Sequence, residues 1–315
     1  MSTAIPSIAT VKPGRAIGTV TTARRHVVQH KKALAIFLGP FLLVFVLFYL
    51  APILFAVLQS FMKVSRAGAF GAPVQVFGGL TQYSAVVHSS VFWTSIEHVV
   101  IFFFVSVPIQ LIMALLLALL LDSPLVKGKR FFRLSYFAPY AVPTVIAALI
   151  WGYLYQPQVS PFQSLTSSQA FGPLTANMIY FSMANIVFWT YVGYNMVIIY
   201  SALKAIPEDL FEAAKMDGAS QFRTAWSIKI PLVVPALVMS TMFSIIGTLQ
   251  LFNEPTVLAT LTPAVTATWS PNMIVLATTN IPNYNLAAAI SVMLALVSCA
   301  ISFTFLRLTQ KRAFT

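Results

Sequence analysis

The sequence predicts an all-α integral membrane protein with six membrane-spanning helices. Hydrophobic residues make up 58% of the chain and charged residues only 8%, whereas soluble domains carry about 25% charged residues. Long uncharged stretches recur along the chain, and the basic residues cluster in alternate connections between them. These observations place most of the chain in a lipid bilayer, and they exclude an ordinary soluble domain.

The number of spans follows from the length of the apolar stretches. A bilayer core about 30 Å thick requires roughly 20 helical residues. Six stretches meet this requirement, and we predict spans over Ala33–Phe61, Val99–Leu121, Leu134–Tyr155, Asn177–Leu203, Leu232–Phe252 and Leu286–Leu306.

The orientation follows from the basic residues. The tail before the first span holds six Lys or Arg, the five connections hold two, four, none, four and none, and the end from Arg307 holds three. One side of the membrane therefore carries 17 and the other side two. Because cytoplasmic segments are enriched in Lys and Arg, both termini are predicted to be cytoplasmic in a multi-pass protein of the plasma membrane. This division by side also argues against a nucleic-acid partner, because no single element gathers the charge.

These spans define the domain organisation. Residues 1–32 contain six basic residues and no acid, and they are predicted to form a flexible cytoplasmic tail. Residues 33–307 form the six-span domain, with a cytoplasmic loop at 204–231, and residues 308–315 form a cytoplasmic C-terminal tail.

The loop between the fourth and fifth spans carries helix signals of its own. Four of the seven acids in the chain, Glu208, Asp209, Glu212 and Asp217, lie within it. Pro207 is suited to a first helical position, and the carboxylates that follow favour the positive end of a helix. Gly218 is suited to ending this helix in a left-handed conformation, and Ser220 to capping a second one. The loop is therefore predicted to be two short helices joined by a bend.

The apolar residues of this loop need a partner. Leu210, Phe211, Ala214 and Met216 give the first helix an apolar flank, and Phe222 and Trp226 give the second one. An amphipathic loop resting on the membrane surface would also show this periodicity, so periodicity alone leaves both interpretations open.

The spacing within the loop is more specific. Glu212-Ala213-Ala214 is followed by three residues, Gly218, nine residues and Ile228-Lys229-Ile230-Pro231. This pattern resembles the EAA loop of the membrane subunits of ATP-binding-cassette importers, with Ile230 in place of a Leu. The resemblance implies a type I importer transmembrane domain whose loop docks on a separate ATPase. The residues that it assigns to this coupling role are Glu212, Ala213, Ala214, Asp217, Gly218 and Phe222.

A second stretch supports the same family. The stretch contains residues that are similar to the third-span signature of permeases of the carbohydrate-uptake family 1: Phe132-Arg133, Phe137-Ala138-Pro139, Pro143 and Trp151. A proline-broken helix with a basic anchor would contain the same residues, so this stretch alone leaves both interpretations open. The residues before the EAA pattern resemble the first of the paired permeases. The resemblance implies a second permease of similar fold, an ATPase dimer and an extracytoplasmic solute-binding protein as partners, with membrane lipid around the spans.

Polar and aromatic residues within the spans are the candidates for contact with substrate. Polar groups at bilayer depth cost free energy unless they face a cavity or a partner, and sugars bind to aromatic faces and to hydrogen-bonding groups. Packing for the aromatic residues, and a helix-end role for the acid, also remain open. The candidates are Trp189, Tyr194, Asn195, Gln250, Asn253 and Glu254.

The sequence lacks the motifs of a motor or an enzyme. Its only Gly-Lys pair, Gly128-Lys129, is followed by Arg130 and has no upstream glycine at P-loop spacing. We therefore expect no cofactor or metal in this chain, with ATP and Mg²⁺ bound by the partner ATPase. No cluster of His, Cys, Asp or Glu has metal-ligand spacing, so catalysis by this chain is not expected.

These features together predict a permease subunit of an ATP-driven sugar importer. Two alternatives remain open: an importer of a non-sugar solute such as a polyol phosphate, and an ion-coupled carrier that acts alone. The mid-span regions contain few titratable groups, so we expect a cavity without fixed charge that accepts a neutral solute.

Overall fold

The computed structural model describes residues 31–66, 71–161, 171–280 and 283–313. The predicted N-terminal tail lies outside these residues except for its last two. The chain divides into two compact units, residues 1–55 and residues 56–315. The first unit holds α1 (Lys31–Phe45), a π-helical turn (Val46–Leu50) and the beginning of α2 (Ala51–Ser60). The second unit holds every other described element and both candidate sites.

The second unit is helical apart from one hairpin. Its elements in chain order are β1 (Met62–Arg66), β2 (Pro73–Phe77), α3 (Thr81–Val87), α4 (Ser90–Asp122), α5 (Lys129–Phe137), a 3₁₀ turn (Ala138–Ala141), α6 (Thr144–Leu154), α7 (Ile179–Lys204), α8 (Glu208–Met216), α9 (Gln221–Thr224), a π turn (Ala225–Lys229), α10 (Ile230–Leu249), α11 (Asn253–Leu258), α12 (Pro271–Asn280) and α13 (Tyr284–Ala313).

Five of the six predicted spans correspond to single helices, and three of these helices are longer than the apolar stretches indicated. Helices long and apolar enough to cross a membrane cover Ile36–Ser60, Ser90–Asp122, Ile179–Lys204, Gln221–Leu258 and Tyr284–Thr309. The second one begins at Ser90 rather than Val99 because Ser89 caps it, accepting a hydrogen bond from the Phe92 amide at 3.3 Å. Hydropathy locates the apolar section of a helix, whereas capping determines where the helix starts.

The third predicted span is not one helix. Its two halves, Lys129–Ala141 and Thr144–Leu154, meet at an angle of 95°. Pro139 lies in the 3₁₀ turn and Pro143 precedes α6, and proline both removes a backbone donor and disfavours helix in the residue before it. The apolar pattern shows continuous hydrophobicity, but it contains no information on this bend.

Two of the three predicted outer connections contain regular structure among the described residues. In residues 62–98, β1 and β2 pair antiparallel with Met62 opposite Phe77, and α3 follows. In residues 257–285, α12 runs over Pro271–Asn280. At the other end of the chain, α13 continues to Ala313, through most of the predicted C-terminal tail.

The most extensive helix packing joins α4 and α7. Ala114 and Ala118 are fully buried and lie four residues apart on α4, so the two backbones approach closely. A second contact requires glycine at position 193 of α7, because a Cβ at this position would lie 1.8 Å from the carbonyl oxygen of Tyr136. These contacts fix α7 against α4 and α5, and α4 and α7 both line the cavity described next.

Candidate functional site

A cavity of about 290 Å³ lies within the second unit, between α4, α7 and α10 with the segment that follows α10. Its apolar lining comes from residues such as Phe102, Val187 and Phe243. Its polar lining is formed by Gln110, Thr144, Tyr191, Tyr194, Asn195, Ser244, Thr248, Gln250, Asn253 and Glu254. Apolar walls with a few polar groups are typical of small-molecule sites.

Amide side chains are fixed within the cavity wall. The Asn253 Nδ2 donates to Thr144 Oγ1 at 2.7 Å, which joins α11 to the first residue of α6. The Asn195 Nδ2 donates to the Tyr191 carbonyl oxygen at 3.2 Å, one turn earlier on α7. Both amides retain an acceptor oxygen for which no described donor is recorded, so each has hydrogen-bonding capacity left for a ligand.

Three tyrosine rings form an aromatic cluster at the cavity. Tyr140, in the 3₁₀ turn, stacks on Tyr194 with ring centroids 4.7 Å apart and an interplanar angle of 15°. The Tyr140 and Tyr191 rings pack edge to face, with centroids 5.8 Å apart and an interplanar angle of 67°. Tyr191 and Tyr194 both line the cavity, so the cluster holds aromatic rings in the cavity wall.

The cavity expected to lack fixed charge contains one carboxyl group, because Glu254 is a lining residue and is only 6% exposed. The sequence placed Asn253 and Glu254 at the outer end of the fifth span. Instead α10 ends at Leu249, and α11 extends the same apolar run to Leu258. The break between the two helices places an acid in the cavity wall.

The predicted substrate residues separate into two groups. Tyr194, Asn195, Gln250, Asn253 and Glu254 all line the cavity. Trp189 is not among the described lining residues; its ring packs edge-on against Trp151 at 6.2 Å, beside the largest buried cluster. The substrate role proposed for Trp189 therefore has no support from its position, and packing accounts for this residue.

Several lining residues were not predicted from the sequence. Gln110 is 4% exposed and is an amide in a Leu-rich helix, which is the same signal that drew attention to Asn195. Thr144, Ser244 and Thr248 gave no signal, because hydroxyl side chains are common in membrane helices and often bond their own backbone.

The loop that follows α7 forms the second candidate site. Its first helix and the bend after it occur as predicted, whereas the second predicted helix, α9, continues through the π turn into α10. Helix α8 ends at Met216, and Gly218 has a φ of 73°. The Ala219 amide donates to the Ala214 carbonyl at 2.9 Å and the Gly218 amide to the Lys215 carbonyl at 3.0 Å, the pair of bonds that closes a helix at a left-handed residue. Ser220 then caps α9 by accepting from the Arg223 amide at 3.3 Å.

One detail of the loop differs from the prediction. Pro207 occupies the cap position, with an extended ψ of 137°, and Glu208 is the first helical residue. Glu208 and Asp209 remain in the first turn, so the carboxylates still lie at the positive end of the helix dipole.

We call residues 208–229 the coupling segment, and part of its apolar surface is uncovered in this chain. Met216 is 88% exposed, Phe222 77% and Trp226 65%. The rings of Phe222 and Trp226 stack at 6.5 Å. Ala214 is buried, whereas Glu212, Ala213 and Asp217 are exposed. Exposed apolar residues gathered on one segment indicate an interaction surface.

The described helices and the cavity define a membrane-embedded transport subunit. Residues 75–314 match the family described as the binding-protein-dependent transport system inner membrane component. The chain belongs to this family.

Curated relatives support the assignment over most of their length. A trehalose/maltose transport system permease protein of Thermococcus litoralis, MalF, is 31% identical over 244 residues, which are 76% of this chain and 82% of the relative. An arabinooligosaccharides transport system permease protein of Bacillus subtilis, AraP, is 29% identical over 72% of each chain. An sn-glycerol-3-phosphate transport system permease protein of Agrobacterium fabrum, UgpA, is 30% identical over 225 residues, 69% of this chain and 75% of the relative.

A solved structure shares the fold. A chain of a bacterial alginate ABC transporter, solved in complex with an alginate pentasaccharide-bound periplasmic protein, aligns with a TM-score of 0.77 at 17% identity. The alignment covers 91% of this chain and 97% of that chain. The predicted all-α fold of an ABC importer membrane domain is therefore confirmed.

Proposed function

We propose that this chain is a permease subunit that forms part of the translocation pathway of an ATP-driven importer of neutral, hydroxyl-rich sugars. The observation that carries the proposal is the cavity, in which amides, hydroxyls and tyrosine rings surround a single acidic side chain. Amides and hydroxyls exchange hydrogen bonds with sugar hydroxyls, and the tyrosine rings offer apolar faces for sugar rings.

The acid in the cavity bears on the charge of the solute. Among the described lining residues there is no Lys, Arg or His, whereas Glu254 is present. A phosphate at this place would meet no compensating cation among these residues, and an uncompensated phosphate is unfavourable at low dielectric constant. The cavity wall of this subunit therefore favours a neutral sugar over a polyol phosphate, although the relative UgpA is named for sn-glycerol-3-phosphate.

The proposal includes partner subunits. A volume of about 290 Å³ is at the lower limit for a small-molecule site, which fits a site completed by a second permease of similar fold. Met216 and Phe222 in the coupling segment would dock on an ATPase dimer that binds ATP and Mg²⁺. A solute-binding protein would deliver sugar from outside, as the family description implies.

The proposal also includes a transport cycle that uses these partner contacts. Closure of the ATPases on ATP would move the coupling segment as a rigid body together with the helices attached to it. The cavity would then exchange inward access for outward access, and the solute would be accepted from the binding protein. Energy comes from the ATPase, so an ion gradient is not required.

Reconstituted vesicles that contain this chain, its partner permease, the ATPase and the binding protein test the substrate class. We expect ATP-dependent uptake of a neutral oligosaccharide and no uptake of glycerol 3-phosphate. Asn195→Ala removes a buried hydrogen-bonding group, and uptake should fall about tenfold, which corresponds to roughly 1.4 kcal/mol. Trp189→Phe is the matched control, because the Trp189 ring packs away from the cavity, and its uptake should stay close to the parent value.

Two outcomes contradict this proposal. Preferential uptake of glycerol 3-phosphate would overturn the neutral-sugar assignment. Uptake that persists without the ATPase and follows an ion gradient would instead identify a carrier that acts alone.

The orientation of the chain is tested by labelling single cysteines in a Cys299→Ser background. Lys127 and Ser65 are both exposed, and they lie in connections assigned to opposite sides. A membrane-impermeant maleimide should label Lys127→Cys only in inverted vesicles and Ser65→Cys only in right-side-out vesicles. The reverse pattern would place the coupling segment outside the cell and exclude docking on a cytoplasmic ATPase.

A further inference from the structure

One buried carboxylate joins three segments at the predicted cytoplasmic end of the second unit. Asp122 is the last residue of α4, and its side chain is 6% exposed. The Lys204 Nζ, at the end of α7, lies 2.7 Å from its Oδ1. The Lys229 Nζ, at the end of the coupling segment, bonds its Oδ2. Apolar length alone suggested an exposed residue beyond the second span, whereas the structure encloses Asp122 between two cations.

Lys229 connects this carboxylate with the coupling segment. Its side chain is 16% exposed, and its ammonium lies 5.0 Å from the centroid of the Phe211 ring in α8, a cation–π contact. One lysine therefore contacts both the membrane helix α4 and the first helix of the coupling segment. The Lys129 Nζ adds a bond to the Asp122 carbonyl oxygen at 3.2 Å, which ties the start of α5 to the same place.

Burial makes the ion pairs of Asp122 costly to break. A buried carboxylate without a cation is strongly unfavourable, and removing one partner of a buried pair leaves the other charge uncompensated. Lys204 is half exposed, whereas Lys229 is largely buried. Water therefore compensates for the loss of the Lys204 contact more easily than for the loss of the Lys229 contact.

The helices that Asp122 joins both line the cavity. Gln110 of α4 is twelve residues from Asp122, a distance of about 18 Å along the helix axis. Tyr194 and Asn195 lie on α7, which ends at Lys204. A displacement of Lys229 would therefore act on the end of α4 through Asp122, and on the end of α7 through Asp122 and Lys204. Other sections of these two helices form the cavity wall.

We propose that Asp122 and Lys229 are positioning residues that transmit displacement of the coupling segment to α4 and α7. The proposal rests on the proposed docking of this segment on an ATPase. It assigns the ion pair to the step between ATPase closure and rearrangement of the cavity, a step in which neither residue touches solute or ATP.

The test measures solute transported per ATP hydrolysed in the reconstituted complex, together with assembly and thermal stability. Lys229→Met should lower this ratio about tenfold, while the ATPase remains bound and active. Lys127→Met is the matched control, because Lys127 is an exposed basic residue with no recorded ion pair to a described residue, and its ratio should equal that of the parent. A purely structural role would lower stability and leave the ratio unchanged.

A charge exchange separates the ion pair from the individual residues. In a Lys204→Met background, which removes the second cation, D122K/K229D should restore at least half of the ratio measured for Lys204→Met alone. An unchanged ratio in Lys229→Met overturns the proposal. If Lys229→Met does not assemble, the exchanged pair decides: recovery of the ratio supports the proposal, and failure to recover overturns it.

Failure of the proposed ATPase coupling gives a different result from failure of the ion-pair proposal. If the chain does not couple to an ATPase, the parent complex itself shows no ATP-dependent uptake and no bound ATPase. If only the role of the ion pair is wrong, the parent couples normally and Lys229→Met couples equally well.

Discussion

Replacing Gly218 by valine should reduce ATP-dependent uptake to background while the protein still inserts into the membrane. Gly218 has a φ of 73°, and a Cβ at this position would meet no described atom within 4 Å. The penalty therefore comes from the backbone conformation and not from a clash. A left-handed conformation costs an ordinary L-residue about 1–2 kcal/mol and costs a β-branched residue more.

The expected loss of transport is larger than this local cost suggests, because the turn at Gly218 sets the angle between α8 and α9. Both helices contribute exposed residues to the proposed docking surface, Met216 before the turn and Phe222 after it. A changed turn displaces one residue relative to the other, so both cannot fit one groove on the ATPase. ATP hydrolysis should then lose its stimulation by the solute-loaded binding protein.

Asparagine is the matched control at this position, because it tolerates the left-handed conformation better than other residues with a Cβ. Gly218→Asn should retain most of the uptake, and Gly218→Ala should lie between Asn and Val. Full uptake and normal ATPase stimulation in Gly218→Val would contradict a coupling role for this turn. Equal losses of uptake in the Val, Asn and Ala variants would show that the added side-chain volume, and not the backbone conformation, causes the effect.

Features set by neighbouring residues were predictable from sequence. The turn at Gly218 and the cap at Ser220 depend on the chemistry of a few adjacent residues, and both occur as predicted. The apolar spans were predictable for a similar reason, since each must satisfy its own backbone hydrogen bonds in lipid. The membrane class, the first helix of the loop and the bend after it followed directly from these rules.

Features set by distant residues were not predictable. Asp122 and Lys229 are 107 positions apart, and hydropathy assigned Asp122 to the surface because it ends an apolar stretch. Glu254 was placed at the outer end of a span because the break between α10 and α11 has no clear sequence signal. In each case the tertiary arrangement, which no local pattern specifies, determines the environment of the charge.

Two of the three substrate candidates on α7 show what helix geometry alone can decide. Trp189 and Asn195 are six residues apart, which is about 120° around a helix, so they cannot both face one ligand. The sequence could not choose between them. The packing of Gly193 against Tyr136 fixes the rotation of α7, and Asn195 lines the cavity while Trp189 packs on Trp151.

The cavity itself is tested most directly by filling it. Gly247 of α10 lines the cavity, and a Cβ there would meet no described atom within 4 Å. Gly247→Trp should therefore be accommodated by the fold and place an indole in a space of about 290 Å³. Glycine is also a poor helix former, so the substitution does not weaken α10 by propensity. We expect uptake of the neutral oligosaccharide to fall to background.

The control and the accompanying measurement distinguish a blocked cavity from a damaged complex. Gly247→Ala adds one methyl group to open space, and its uptake should stay within about twofold of the parent. In Gly247→Trp, ATPase binding should be unchanged, because Gly247 lies far along α10 from the coupling segment, which ends at Lys229. Uptake at the parent rate in a stable, assembled Gly247→Trp complex would show that solute does not pass through this cavity, and the pathway would then have to be sought along other helices or in the partner permease.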